Sequence, residues 1–488
     1  MLHRSFACSP LGRLPCAALF ETALWSTAPS TAAGLRSLSC GPAGCPESSS
    51  LPSPPPPPPP PLVEPWRDAA EPIERAATPP SSWYTSPAVL QLEDRTVFRH
   101  SWLAVARSSQ LAAPGAYAAG SLLGLQWLAC RDERGQLRAF HNVCRHHAAI
   151  LAPPGTGSTD CFRCGYHGWT YGLDGRLQRA TRLAGIQGFR AAEHGLRALQ
   201  AEEWGGFVWV RQGPAGSAGR DQQPRHAQAE GAQQQVGQRQ QEEEEEQQQQ
   251  HSGRSGVAAW LGPRGSAAAL AAGMADPLVH VASREYELRC NWKVFVDNYL
   301  DGGYHVSVAH PELAAGLDLP SYRSTIYERL SIQSCQPAGA QQEGQAGQVP
   351  AVPAAGERPA GGEQRRLGGG RPPAYIFVYP NLMINRYGPW LDVNTVIPLA
   401  ADRCKVLFDY YLDASLASDQ PFIAHSLAAS DRVQQEDTGL CESVQRGLAS
   451  PSYDVGRYAP GVEGPMFHFH QLLDVDLMAG AAAGAAPA

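Results

Sequence analysis

Two short Cys/His loops constrain this chain more than any other feature. His141-Asn142-Val143-Cys144-Arg145-His146-His147 is followed, with seventeen residues between His146 and Cys164, by Cys164-Gly165-Tyr166-His167-Gly168-Trp169. Cys144, His146, Cys164 and His167 thus offer two thiolates and two imidazoles from segments short enough to close over one centre. Structural zinc uses the same residue types. A [2Fe-2S] cluster in which two His replace two Cys on one iron uses them too, and Cys-x-His paired with Cys-x-x-His at this separation fits the cluster rather than zinc. Cys161 makes a Cys-x-x-Cys with Cys164 but has no partner that needs it, so it reads as a packed or surface thiol.

A chain of 488 residues with 43% hydrophobic residues can bury two domain cores. A net charge of −7 with scattered basic residues gives no reason to invoke nucleic acid. The twelve cysteines are unevenly spread, with Cys8, Cys16, Cys40 and Cys45 in the leader, unlike the dense framework of a secreted disulfide scaffold. A reducing compartment is expected. No apolar run is long enough to span a bilayer, so a soluble mature protein is expected.

Residues 1–62 are Ser-, Ala- and Pro-rich, carry Arg4, Arg13 and Arg36 against Glu21 and Glu47, and end in a polyproline run. This reads as an organelle transit peptide with a stiff spacer. Ordered sequence is expected from Trp83, with Ser86-Pro87 opening a helix. Short strands follow over Leu128–Cys130 and Leu137–Phe140, a hairpin has Asp174-Gly175 at its tip, and Trp204–Arg211 forms one closing strand. The expectation is a small antiparallel β domain over 83–212. Gln/Glu-rich residues 213–256 and Gly/Pro/Gln-rich residues 336–370 read as disordered insertions, the second lying within a domain over 257–488.

That second domain holds another candidate site. Asn291 can cap a helix through Leu300, which meets Asp301-Gly302-Gly303-Tyr304-His305, with His310 beyond. Residues five apart on an ideal helix diverge by about 140°, so the two imidazoles need a bend to share a metal. On a helix over Ser430–Arg446, Val433, Leu440, Cys441, Val444 and Leu448 form an apolar stripe with Asp437 in its middle; Glu436 falls at its flank and Glu442 points away. A carboxylate aimed into a core needs a cation or an ion-pair partner. Two His with one carboxylate match the mononuclear Fe(II) facial triad.

Both sites together resemble the Rieske non-haem iron oxygenases, and among them the choline-type enzymes of plants. The resemblance is carried by both Cys/His loops and by three longer segments: 297–306 (Asp-Asn-Tyr-Leu-Asp-Gly-Gly-Tyr-His-Val), 379–390 (Tyr-Pro-Asn-Leu-Met-Ile-Asn-Arg-Tyr-Gly-Pro-Trp) and 441–448 (Cys-Glu-Ser-Val-Gln-Arg-Gly-Leu). It implies an α+β chain, an antiparallel β Rieske [2Fe-2S] domain followed by a helix-grip (START-like) catalytic domain. It implies Cys144, His146, Cys164 and His167 as cluster ligands and His305, His310 and Asp437 as ligands of a mononuclear Fe(II). It also implies Asp301 as the bridge from the cluster of one subunit to the iron of the next in a ring-shaped, trimer-like homo-oligomer. Asp301 stands four residues before His305 where the wider family has the acid three before, leaving Asp297 as a weaker alternative.

The activity implied is monooxygenation of choline by O2 and two electrons from reduced ferredoxin, giving betaine aldehyde hydrate for glycine betaine synthesis in the chloroplast stroma. Another quaternary amine, glycine betaine or carnitine, is the same-class alternative; a pure electron carrier would have no use for the second site. A trimethylammonium head has no N–H to donate, so an aromatic pocket is expected, with Tyr304, Tyr375, Phe377, Tyr387, Trp390, Phe467 and Phe469 in the right domain.

Overall fold

In the computed structural model, residues 63–213, 256–338 and 372–484 are described. The expected leader and the bulk of both expected insertions lie outside them. No described helix is long and apolar enough to cross a membrane.

The N-terminal β unit contains ten strands: β1 Leu103–Arg107, β2 Ala116–Leu122, β3 Leu125–Arg131, β4 Leu137–His141, β5 Gly155–Ser158, β6 Cys161–Arg163, β7 Thr170–Gly172, β8 Leu177–Arg179, β9 Gln200–Trp204 and β10 Phe207–Arg211. They form three small antiparallel sheets, ordered β1-β10-β9, β4-β3-β2-β5 and β6-β7-β8. Turn chemistry sets the registers. Between β3 and β4, Asp132 Oδ1 accepts from the amides of Arg134 (3.0 Å) and Gln136 (2.8 Å), while Gly135 takes φ +74°. Gly175 has φ +82° between β7 and β8, and a Cβ there would run into the Phe140 ring, so glycine is required twice over.

Two expectations are corrected here. Trp204–Arg211 is a hairpin rather than one strand, because Gly205 and Gly206 both adopt positive φ (61° and 78°) and reverse the chain. Order also begins earlier than Trp83: Val63 and Trp66 are buried, and Trp66 Nε1 donates to the Ala77 carbonyl. Helix α1 (Pro87–Glu93), preceded by Tyr84, packs against the helix Gly464–Gly484 of the second domain. Glu93 is wholly buried, accepting from Lys293 Nζ at 2.5 Å and Trp292 Nε1 at 2.7 Å.

The second domain is one seven-stranded antiparallel sheet gripping long helices. Its strands are β11 Val279–Leu288, β12 Leu317–Ile326, β13 Leu330–Pro337, β14 Ala374–Val378, β15 Leu382–Tyr387, β16 Trp390–Ala400 and β17 Arg403–Leu412, in the order β11-β17-β16-β15-β14-β13-β12. Against it lie α2 (Trp292–Leu300), the short α3 (Val306–Ala309), the 29-residue α5 (Gln420–Leu448) and α6 (Gly464–Gly484), with a four-residue turn of helix, α4 (Pro311–Ala314), after α3. The expected Asn291 cap is present: its side chain accepts from Lys293 N at 3.0 Å. This is the α+β, helix-grip architecture expected from the sequence.

Candidate metal centres

The two Cys/His loops are copies of one backbone device. In the first, Cys144 N donates to Ala149 O (2.8 Å) and Ala148 N to Cys144 O (3.0 Å); in the second, Cys164 N donates to Trp169 O (2.8 Å) and Gly168 N to Cys164 O (3.0 Å). The fifth residue of each loop has positive φ, Ala148 at 58° and Gly168 at 73°. Asn142 braces the first loop by accepting from Ala152 N and donating to Ala152 O. Both sulfurs are thereby buried, and both tips bring imidazoles outward.

His146, His147 and His167 come together, with His146 and His167 ring centroids 4.7 Å apart. Cys144 Sγ lies 3.3 Å from Tyr171 OH. Burial pushes the Cys164 thiol up, yet the amides of His167 and Tyr166 and the Cys144 sulfur outweigh this and hold it below the ordinary thiol range. Burial first, then the neighbouring imidazoles, depress the His146 pKa, favouring the neutral ring that a metal needs. Its Nδ1 is buried with no hydrogen-bond partner among the described residues, while the ring stacks on Trp169 at 4.6 Å. His147 lies on the exposed side of the group. Two buried sulfurs beside two clustered imidazoles, one of them with an orphaned inner nitrogen, fit a mixed Cys/His iron–sulfur cluster.

The second centre is assembled from distant sequence. His305 starts α3 and His310 ends it; the following Pro311 disfavours a helical His310, which leaves the helix at φ −126°, ψ 66°. That break supplies the bend that the five-residue spacing requires. Asp437 projects from α5 on the opposite side, with Asp437 Oδ1 at 3.0 Å from His310 Nε2 and 3.6 Å from His305 Nε2. One ligand atom from each of the three residues falls within 4.8 Å of the others.

Each imidazole has a carboxylate behind it. His305 Nδ1 is 2.5 Å from Asp301 Oδ2, and His310 Nδ1 is 2.6 Å from Glu436 Oε2. This fixes both rings with Nε2 toward the centre, the carboxylate–histidine arrangement of metal sites. Asp301 also accepts from the amides of Gly303, Tyr304 and His305. Gly302 and Gly303, at φ 73° and 74°, absorb the extra residue between the acid and His305, and a Cβ on Gly302 would strike the Val462 carbonyl. Asp297 faces elsewhere, toward Tyr84 and His470. Burial lowers the His310 pKa, but Asp437 and Glu436 outweigh it and raise it to about 9.

The expected stripe on α5 is only half right. Cys441 is buried, whereas Leu440 and Val444 are exposed at 39% and 50%; the inward face instead continues through Ser430, Gln434 and Gln445. Asp437 still lies on that face. Glu436, noted only as a flanking residue, turns back to His310.

These groups open into a cavity of about 170 Å³ between α2, α5 and the sheet. Tyr375 and Tyr387, expected as pocket aromatics, line it, joined by Phe295, Tyr299, Tyr322 and Phe408. Phe377, Trp390 and Phe469 are core residues, Phe467 packs on Trp66, and Tyr304 is 62% exposed. Burial pushes the Tyr299 and Tyr322 phenols well above their ordinary value, so they are neutral walls. No Lys or Arg is among the described residues that line the cavity.

Residues 101–190 match the Rieske [2Fe-2S] domain family, and residues 275–478 match the catalytic domain of ring hydroxylating alpha subunits. The chain is 46% identical over 411 residues to the chloroplastic choline monooxygenase of Arabidopsis thaliana, covering 84% of this chain and 85% of the relative. It is 26% identical to the carnitine monooxygenase oxygenase subunit of Escherichia coli over 84% of this chain and 96% of that one. A quaternary ammonium Rieske monooxygenase solved with L-carnitine superposes with TM-score 0.63 at 25% identity, over 85% of this chain and 99% of that one. With a Rieske domain for a [2Fe-2S] cluster and a catalytic domain for a mononuclear iron, the chain belongs to the Rieske non-haem iron oxygenases, as a Rieske-type monooxygenase similar to plant choline monooxygenases.

Proposed function

We propose that this chain is a ferredoxin-dependent choline monooxygenase of the chloroplast stroma. The observation that carries the substrate is the cavity itself, which has aromatic walls and no Lys or Arg among its described lining. A quaternary ammonium head suits aromatic faces. Glycine betaine and carnitine also carry a carboxylate, and the described lining gives no Lys or Arg to meet it. The 46% identity to a relative named as a chloroplastic choline monooxygenase supports the same reading, and the chloroplastic names of such relatives support the compartment.

In this reading Cys144, His146, Cys164 and His167 hold the [2Fe-2S] cluster, and His305, His310 and Asp437 hold Fe(II). The cluster supplies one-electron transfer and the iron supplies O2 activation. With only these three protein ligands, a bound iron would keep positions for O2 and substrate. Asp301 and Glu436 keep His305 and His310 in the tautomer that offers Nε2 inward. The walls hold the hydroxyl-bearing carbon of choline toward Asp437 and keep bulk water out. The balance is choline, O2, two electrons and two protons giving betaine aldehyde hydrate and water.

Reduced ferredoxin is the donor, and the working unit is a ring in which the cluster of one subunit serves the iron of the next through Asp301. Supporting this, inter-subunit electron transfer is described for a quaternary ammonium Rieske monooxygenase of the same fold. Residues 1–62 serve as the transit peptide. The test is turnover with reduced ferredoxin and O2 on choline, glycine betaine and carnitine, with product scored by mass. Choline is expected to give the aldehyde hydrate. Faster turnover of either carboxylate-bearing amine would overturn the assignment.

A further inference from the structure

The chain carries a net charge of −7, yet residues 141–190, which contain both Cys/His loops, hold six Arg and only two acids, Asp160 and Asp174. Asp174 pairs with Arg176 at 3.5 Å. Two of the other guanidiniums are aligned by the sheet β6-β7-β8. Arg163 stands opposite Thr170, and Thr170 opposite Arg179, so the three side chains form one row across the strands. Strand alternation sends Phe162 and Tyr171 into the core and turns this row outward, where Arg163 and Arg179 are both exposed. Neither makes an ion pair with an acid among the described residues. The row lies against the second loop itself. Arg163 directly precedes Cys164, and its guanidinium nitrogens lie 3.8 Å from where a Cβ on Gly168 would stand. Thr181, which also flanks Gly168, donates to the His167 carbonyl at 2.8 Å.

Exposed arginines are ordinarily no more than solvated surface. Here two unpaired ones share a row beside the candidate cluster, in a chain whose overall charge has the opposite sign. Such a face attracts an acidic electron carrier across roughly a Debye length of about 8–10 Å and fixes its register on contact. The row belongs to the strands, whereas the imidazoles stand at the loop tips, so electrons can enter and leave by different surfaces. We propose that the outward face of β6-β7-β8, centred on Arg163 and Arg179, is the docking surface of a small acidic iron–sulfur electron carrier. Each docking moves one electron from the reduced carrier to the oxidised cluster, and two dockings supply one turnover. This rests on the ferredoxin reading above and assigns the place where that donor binds.

The test is stopped-flow reduction of the cluster in the full-length holoenzyme, followed by its visible spectrum, with reduced plant-type [2Fe-2S] ferredoxin and, separately, with photoreduced deazaflavin, a small neutral reductant. In the wild type the second-order rate with ferredoxin should fall at least about tenfold between about 0.05 and about 0.5 M salt, and the deazaflavin rate should stay within about twofold. The double variant Arg163→Glu/Arg179→Glu should lose at least about 30-fold with ferredoxin at low salt, keep the deazaflavin rate, and elute at the wild-type size. Arg163→Lys/Arg179→Lys keeps the charge and should stay within about fivefold. Arg403→Glu/Arg446→Glu, the same charge change on two exposed arginines of the second domain, should stay within about threefold. A salt-independent wild-type rate, which needs no variant, would overturn the proposal. So would an unchanged ferredoxin rate after charge reversal, equal losses in the two double Glu variants, or a change of oligomer size on reversal, which would make the row a subunit contact. Failure of the ferredoxin reading looks different: deazaflavin would then reduce the wild-type cluster and ferredoxin would not.

Discussion

The two candidate metal centres are built on opposite principles. The candidate cluster site is local: its four proposed ligands lie within 24 residues, Cys144 to His167, on two loops with the same hydrogen-bond pattern. The iron site is dispersed, with its carboxylate 127 residues beyond His310 and brought there only when α5 packs across the sheet. The cluster loops therefore depend on turn geometry, and the iron site depends on tertiary packing. Local damage should empty one site without the other.

The largest effect should come from Asp437→Ala. Removing the shared carboxylate is expected to cut product formation at least about a thousandfold while the visible spectrum of the cluster stays intact, since no residue of the two Cys/His loops is among the described residues grouped with Asp437 or lining its cavity. Normal turnover would sink the ligand assignment. The mirror-image experiment separates the two neighbouring histidines of the first loop: His146→Ala should lose the cluster spectrum, whereas His147→Ala should keep it. The reverse outcome would move the ligand to His147.

Glu436→Gln should act more gently. It keeps the shape but weakens the group behind His310, and iron affinity in a metal titration should fall about 10- to 100-fold. An unchanged affinity would make Glu436 an incidental neighbour. The pH dependence of iron uptake follows from the same pair. In the metal-free protein Asp437 and Glu436 hold the proton on His310 up to about 9, so Fe(II) must displace it. Apparent affinity should rise with pH, about tenfold per unit between about pH 7 and about pH 9, and a flat profile would show that His310 is not where the metal binds. The sign for folding is opposite: a raised histidine pKa stabilises the metal-free fold below its ordinary value of 6.5, and that stability is lost as pH rises toward about 9.

The same contrast explains what could be read from the residues alone. Cys144, His146, Cys164 and His167 are legible because their spacing encodes loop closure directly. Asp437 is legible because helical period selects it from among Glu436, Asp437 and Glu442, even though Leu440 and Val444 are exposed; the flanking Gln434 and Cys441 carry the inward direction. Glu436 as a partner of His310 is not legible, since the contact depends on how α3 ends at Pro311. The turn within Trp204–Arg211 has a local cause: strand-forming residues on both sides read as continuous, and the conformational freedom of Gly205 and Gly206 reverses the chain between them. The early start at Val63 has a distant one, because Trp66 gains its burial from Phe467 on α6.

Passage of electrons from the cluster to a separate O2-activating iron is tested most directly by a single-turnover experiment on the full-length protein, with the cluster reduced in advance and its paramagnetic signal followed after choline and O2 are added. Loss of the reduced-cluster signal in step with aldehyde hydrate formation is expected in the wild type, and a persistent signal with no product in Asp437→Ala. Product formation in Asp437→Ala, or a wild-type signal that outlasts product formation, would contradict it.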